Sequence, residues 1–405
     1  MAFNPLTERG IPLEHQLRNW SELNVEPYDK NSVHPFTRCR AIVMNGIEVE
    51  AAMFSHQFNR HTRNLDVKRT LAMTRRVEQQ QQKTVNWLIP GEESTLEVTI
   101  GYEQVAVELT AWIAQMEPHP YAKRAYDFGL LEDFDHLYRY ADLLDLTQPR
   151  RAEQIVGQLT EIMPGRPTRL HHRHPVDNIR RSLDAYTGDP LSSLHALTVT
   201  AAEQQTMNFY MTIGNRPQEP IARALYLEIA QVEEQHVTHY ESMLDPSLSW
   251  TEMLVQHEYN ECYLYHSFME QEDDPRIKRI WELHLGMELE HLRIACELMR
   301  AHDRRDPEMI LPKSLPAPVR FESNKSYVRS VLGSQVDLTA NELEFVPMSE
   351  LPEDHRFYRY QSTVNRRGVP SDQIIDQHRQ AKGADYRFQS EGRHPVPQLE
   401  EETAA

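Results

Sequence analysis

Two stretches 55 residues apart place a glutamate three residues ahead of a histidine: Glu233-x-x-His236 in EIAQVEEQHVTHY and Glu288-x-x-His291 in GMELEHLRIACEL. On a helix, positions i and i+3 share a face, so each pair aims a carboxylate and an imidazole the same way. Each pair also follows another glutamate, Glu203 or Glu258, by 30 residues. Four carboxylates and two imidazoles on four helices make the donor set of a dinuclear metal centre. Two divalent cations in a low-dielectric core are tolerable only against paired anions. Two carboxylates can bridge the metals while each imidazole caps one of them. The expected ligands are Glu203, Glu233, His236, Glu258, Glu288 and His291.

Helices must position these groups. From 191 to 302 the sequence breaks at GNRPQEP, LDPSLSW and EDDPR, which leaves four helical stretches. Trp281, Leu285, Glu288, Leu292 and Ala295 form one stripe with His291, and Ile229, Glu233, His236, Tyr240 and Met243 form another. The acids thus lie on the apolar faces, where an unpaired charge is costly. Residues 41–145 read the same way, with breaks near Asn59–Asp66, at Pro90-Gly91 and at Pro118–Pro120.

The two helical regions match at an offset of 155 residues. Glu203, Glu233, Glu258 and Glu288 map onto Glu48, Glu78, Glu103 and Asp133, and His291 maps onto His136. His236 maps onto Gln81, and Glu261 onto Ala106. The pattern predicts an all-α protein with two tandem four-helix bundles from an internal duplication. The expected divisions are an irregular arm over 1–40, a degenerate bundle over 41–145, a connection over 146–190, a di-metal bundle over 191–302 and an extended polar C-terminal tail over 303–405. The first bundle, short of one imidazole, reads as a decayed site that braces the second. Tyr210, Tyr240, Tyr259, Tyr263 and Tyr265 read as packing near the ligands, and Cys262 as a packed thiol. Glu108, Glu132, Asp135 and the HHRH run (His171, His172, His174) read as solvated. Tail histidines such as His355 and His378 lack paired spacing and are not expected as ligands.

Over 191–302 the chain resembles the ferritin-like di-metal carboxylate superfamily. The third helix reads HEYNECY, where Glu258-x-x-Glu261 is similar to rubrerythrin, whose extra acid is a switchable ligand. That resemblance implies Glu261 as a seventh ligand with a catalytic, rate-tuning role. It also implies a site of two irons, or iron with manganese. No cysteine-ligated iron domain accompanies it, which excludes a full rubrerythrin.

The whole chain is compatible with such a site. Of 405 residues, 61 are Asp or Glu and 43 Lys or Arg, a net charge of −18, which argues against nucleic acid or an anionic membrane as partner. No apolar run is long enough to span a bilayer. Cys39, Cys262 and Cys296 stand far apart, so neither a disulfide framework nor a cysteine metal site is expected, and a cytoplasmic setting is. The expected function is a di-iron or iron–manganese oxidoreductase that reacts with dioxygen or peroxide and acts on an unidentified small molecule. Ferroxidase or peroxide-scavenging activity is a second expectation, and a non-catalytic metal-binding scaffold a third. The tail suggests a homo-oligomer, wrapping a neighbouring subunit.

Overall fold

The computed structural model describes residues 3–383 and 385–404. It is mostly helical. Eight long helices carry the fold: α1 (Pro35–His61), α2 (Leu65–Asn86), α3 (Thr95–Met116), α4 (Pro120–Thr147), α5 (Pro190–Ile213), α6 (Pro220–Glu241), α7 (Trp250–Gln271) and α8 (Pro275–His302). Every start in the second half lies 155 residues after its counterpart in the first. The start signals repeat as well. Pro35, Pro120, Pro190 and Pro275 each occupy the first helical turn, where a missing N–H costs nothing. Ser94 with Glu97, and Ser249 with Glu252, form capping boxes at α3 and α7.

Consecutive helices pair as four hairpins: α1–α2, α3–α4, α5–α6 and α7–α8. Their first helices pack on one another in the middle, α1 against α3, α5 and α7, and α5 against α3 and α7. Small residues allow the closest crossings. A Cβ on Gly46 of α1 would meet Gln205 of α5 at 2.9 Å, and one on Gly129 of α4 would overlap the Tyr240 hydroxyl of α6.

The hairpins do not close into tandem bundles. The α3–α4 hairpin faces α5–α6, and α1–α2 faces α7–α8, so the pairing is nested, with an inner and an outer pair. Side chains record the exchange. His136 of α4 meets Glu233 of α6, while Gln81 of α2 donates to Glu288 of α8. The expectation of one bundle per half is corrected accordingly. Sequence spacing fixes which helix face carries the acids, but not which hairpin it meets.

Residues 3–34 are largely irregular, apart from a 3-10 turn at Leu13–His15 and one helical turn at Trp20–Leu23. The expected extended tail is instead folded onto its own chain. It forms α9 (Lys325–Gln335), a hairpin of β1 (Leu338–Asn341) and β2 (Glu344–Pro347), α10 (Arg356–Val364) and α11 (Pro370–Lys382). Helix α11, expected over 371–382, packs against α4 and α6. Buried polar contacts hold the tail down: Ser371 donates to Glu228, and Arg387 pairs with Asp142. Among the described residues, no helix is long and apolar enough to cross a membrane.

Candidate metal centres

The nested pairing gathers the buried acids into two clusters. The inner one takes Glu103 from α3, Asp133 and His136 from α4, Glu203 from α5, and Glu233 and His236 from α6. Asp133, Glu203, Glu233 and His236 converge within 4.8 Å, and so do Glu103, His136 and Glu233. Glu233 belongs to both groups, the position of a bridging ligand. The outer cluster takes Glu48 from α1, Glu78 from α2, Glu258 and Glu261 from α7, and Glu288 and His291 from α8. It too divides, into Glu78, Glu258 and His291 and into Glu48, Glu261 and Glu288.

The seven residues expected to form one site are therefore split. Glu203, Glu233 and His236 lie in the inner cluster; Glu258, Glu261, Glu288 and His291 lie in the outer. The supposedly decayed half is split likewise and completes both. Asp133-x-x-His136 gives the inner cluster its second imidazole. The outer cluster keeps one imidazole, with Gln81 at the position matching His236 of the inner, and Glu261 as a fifth acid.

Hydrogen bonds orient each cluster histidine through its Nε2. His171 Nε2 lies 2.6 Å from the Arg166 carbonyl, which only accepts, so that nitrogen donates. Burial holds the His171 ring well below its ordinary pKa, so it is neutral and its Nδ1 accepts. His136 Nε2, 3.2 Å away, must then be the donor, and His136 Nδ1 faces Glu233 Oε1 at 3.0 Å. His236 Nε2 is 3.0 Å from Glu132. Against the penalty of burial, the Arg173 and Arg166 guanidinium groups and the His236 hydrogen bond hold Glu132 well below the usual carboxylate range, so it accepts. His236 Nδ1 therefore faces Asp133 at 3.1 Å, Glu233 at 3.4 Å and Glu203 at 3.6 Å.

The outer cluster repeats the logic. Gln16 uses its amide nitrogen on the Ile11 and Met287 carbonyls, so its Oε1 accepts from His291 Nε2 at 2.7 Å. His291 Nδ1 is left facing Glu288 at 3.0 Å and Glu258 at 3.8 Å. All three imidazoles thus present Nδ1 to carboxylates and are oriented through Nε2, as metal-ligating histidines are. Against the penalty of burial, the facing acids raise His236 and His291 above the ordinary imidazole range, so each Nδ1 can pair with a carboxylate through its own proton or through a divalent cation in that proton's place.

The carboxylates are suited to a cation as well. Glu48, Glu78, Glu103, Asp133, Glu203, Glu258 and Glu261 each have a buried oxygen without a hydrogen-bond partner. Burial, reinforced by neighbouring acids, raises Glu48, Glu103, Glu203, Glu258 and Glu261 well above the ordinary carboxylate range. Left to themselves these groups would take up protons; divalent cations would satisfy the same charges. Matched tyrosines hold one oxygen in each cluster: Tyr210 donates to Glu103 and Tyr265 to Glu48. Sequence reasoning had left both tyrosines as packing.

Five residues read as solvated are buried instead: Glu108, Glu132, Asp135, His171 and His172, while His174 is half-buried. Residues 148–189 fold over the inner cluster, supplying Arg166 and Arg173 to Glu132 and His171 to His136. No protein family, characterised protein or solved structure matches the chain.

Proposed function

We propose that the chain is an oxidoreductase of the dinuclear carboxylate kind, with one metal centre in the inner cluster and another in the outer. The observation that carries this reading is the common orientation of His136, His236 and His291, each held through Nε2 and presenting Nδ1 to buried carboxylates. Glutamate and imidazole are hard-to-borderline donors, suited to iron and manganese. The inner set is one glutamate from each of two helices and acid-x-x-His from each of the other two, which keeps the likeness to ferritin-like di-metal proteins. The 155-residue offset between helix starts favours a duplicated ancestry for the two halves.

The bound metals would supply electron exchange with dioxygen or a peroxide. The chain's own groups do the rest. Glu103, Asp133, Glu203 and Glu233 balance two divalent charges, while Glu132 and His171 lock the imidazoles. Tyr210 and Tyr265 orient Glu103 and Glu48 through their hydroxyls. Glu261 gives the outer cluster a negative charge beyond that balance, and so a carboxylate free to change its partner. The apolar helix faces keep bulk water from both clusters.

The test is elemental analysis of the purified full-length protein, with absorption spectra before and after peroxide. Iron or manganese should be present, with a spectrum that changes on peroxide addition. Protein that stays metal-free after anaerobic incubation with ferrous or manganous ion overturns the proposal.

A further inference from the structure

A pocket of about 360 Å³ opens beside the outer cluster, between α2, α8 and the N-terminal arm. Leu23, Val25, Val77, Ile280, Leu283 and Met287 form its apolar wall, and polar side chains, Arg18 and Glu22 among them, complete the lining. At about 30 Å³ per water-sized group it holds on the order of a dozen non-hydrogen atoms, the lower end of small-ligand sites.

Two polar atoms among its lining residues are unmatched. Gln81 is 2% exposed; its Nε2 is committed to Glu288 and its Oε1 is buried without a partner. Arg18 Nε is likewise buried and unpartnered, and its ion pair with Glu22 is stretched to 4.0 Å. The Arg18 backbone is pinned by Gln80, which accepts from its N–H at 2.8 Å and donates to its carbonyl at 2.9 Å. A guanidinium edge calls for an anion, and a lone amide oxygen for an N–H or O–H.

We infer that this pocket binds a small organic acid with an apolar body, its carboxylate on Arg18 and a hydroxyl or amine on Gln81 Oε1. Such a guest has its polar end delivered to the outer cluster, because three lining side chains lead there. Gln81 reaches Glu288, Gln16 reaches His291, and His284 Nδ1 lies 3.1 Å from the Tyr265 hydroxyl that donates to Glu48. The substitution of Gln81 for histidine then has a chemical reason. An amide can serve a ligand carboxylate with one end and a guest with the other, whereas a metal would consume the imidazole. Binding of the acid stands on the pocket alone; its delivery to a redox centre rests on the proposed function.

The experiment is calorimetric titration of the full-length protein, as purified, with 3-(4-hydroxyphenyl)propanoate, with metal content measured on the same sample. The acid without its hydroxyl and the methyl ester are the comparisons. The parent acid should bind, and each comparison should bind about tenfold or more weakly. Arg18→Gln should erase the preference for acid over ester, and Gln81→Leu the preference for the hydroxyl, with circular dichroism confirming both folds. Absence of binding at millimolar acid, or preferences unchanged in the variants, overturns the inference. If the acid binds with both preferences and the protein cannot hold metal, the pocket assignment stands and the redox reading falls. Metal with no acid binding gives the reverse.

Discussion

His136 Nδ1 and Glu233 Oε1 meet at 3.0 Å in the middle of the inner cluster, although they come from different halves of the chain. Neither half therefore contains a complete donor set, and each cluster has its own pair of hairpins.

Separate metal loss is the first expected consequence. Glu233→Ala should empty the inner centre and leave the outer loaded, while Glu288→Ala should do the opposite. Elemental analysis of the two variants, and of the double variant, checks this. If either single substitution strips all metal from a folded protein, the two centres are not independent.

The lock on His136 should be measurable. His171→Ala removes the acceptor of its Nε2 proton, and loss of such a partner typically costs about 10–100-fold in metal affinity. Chelator competition should show this loss at the inner centre and no change at the outer.

Glu132 should matter for folding. It is buried between Arg166 and Arg173, so Glu132→Gln leaves both guanidinium groups without an anion and loosens His236. Removing one member of a buried ion pair typically costs about 3–5 kcal/mol. A denaturant titration should show destabilisation of that order, and an unchanged midpoint would contradict it.

The acid limb of stability should depend on Glu117. Burial pushes this carboxylate up, but the hydrogen bond and charge of His195, with Ser192 and the His119 N–H, hold it below its ordinary 4.5. A depressed pKa contributes stability that is present above 4.5 and is lost as pH falls through the lower folded value. Glu117→Gln should therefore lower stability at neutral pH and flatten the decline below pH 4.5. Thermal melts of both proteins across that range test the slope.

The tail should behave as part of the core. Arg387 lies 2.6 Å from Asp142, 2.7 Å from Glu153 and 3.4 Å from Asp385. Arg387→Ala should cost about 3–5 kcal/mol by stranding buried acids. A decorative tail would instead leave the unfolding midpoint unchanged.

Much of the fold was legible because helix boundaries are written locally. Prolines and loop signals divided the chain into all eight long helices, and the 30-residue lead of each glutamate marked the faces with acids. Hairpin pairing was not legible, since the contact between Gln81 and Glu288 spans 207 residues and nothing near Gln81 names its partner. One clue was present: Glu48 and Glu103 repeat the same 55-residue step as Glu203 and Glu258, which makes the hairpin the repeating unit. Glu132 was misread for another reason. Off-face residues are solvated only when one side of a helix meets water, and α4 is buried around its circumference from Ala125 to Asp145.

The nesting also sets a timetable for synthesis. The inner hairpins are complete once Glu241 has emerged, but α1–α2 must wait for α7–α8. At ribosomal speeds of about 5–20 residues per second, the 207 residues between Gln81 and Glu288 take on the order of 10–40 s. Through that interval Glu48 and Glu78 sit on the unpartnered face of a nascent hairpin, where water can hydrate them. An entirely apolar face left open that long would invite aggregation. The same carboxylates that are costly in the finished core keep the unfinished one dispersed.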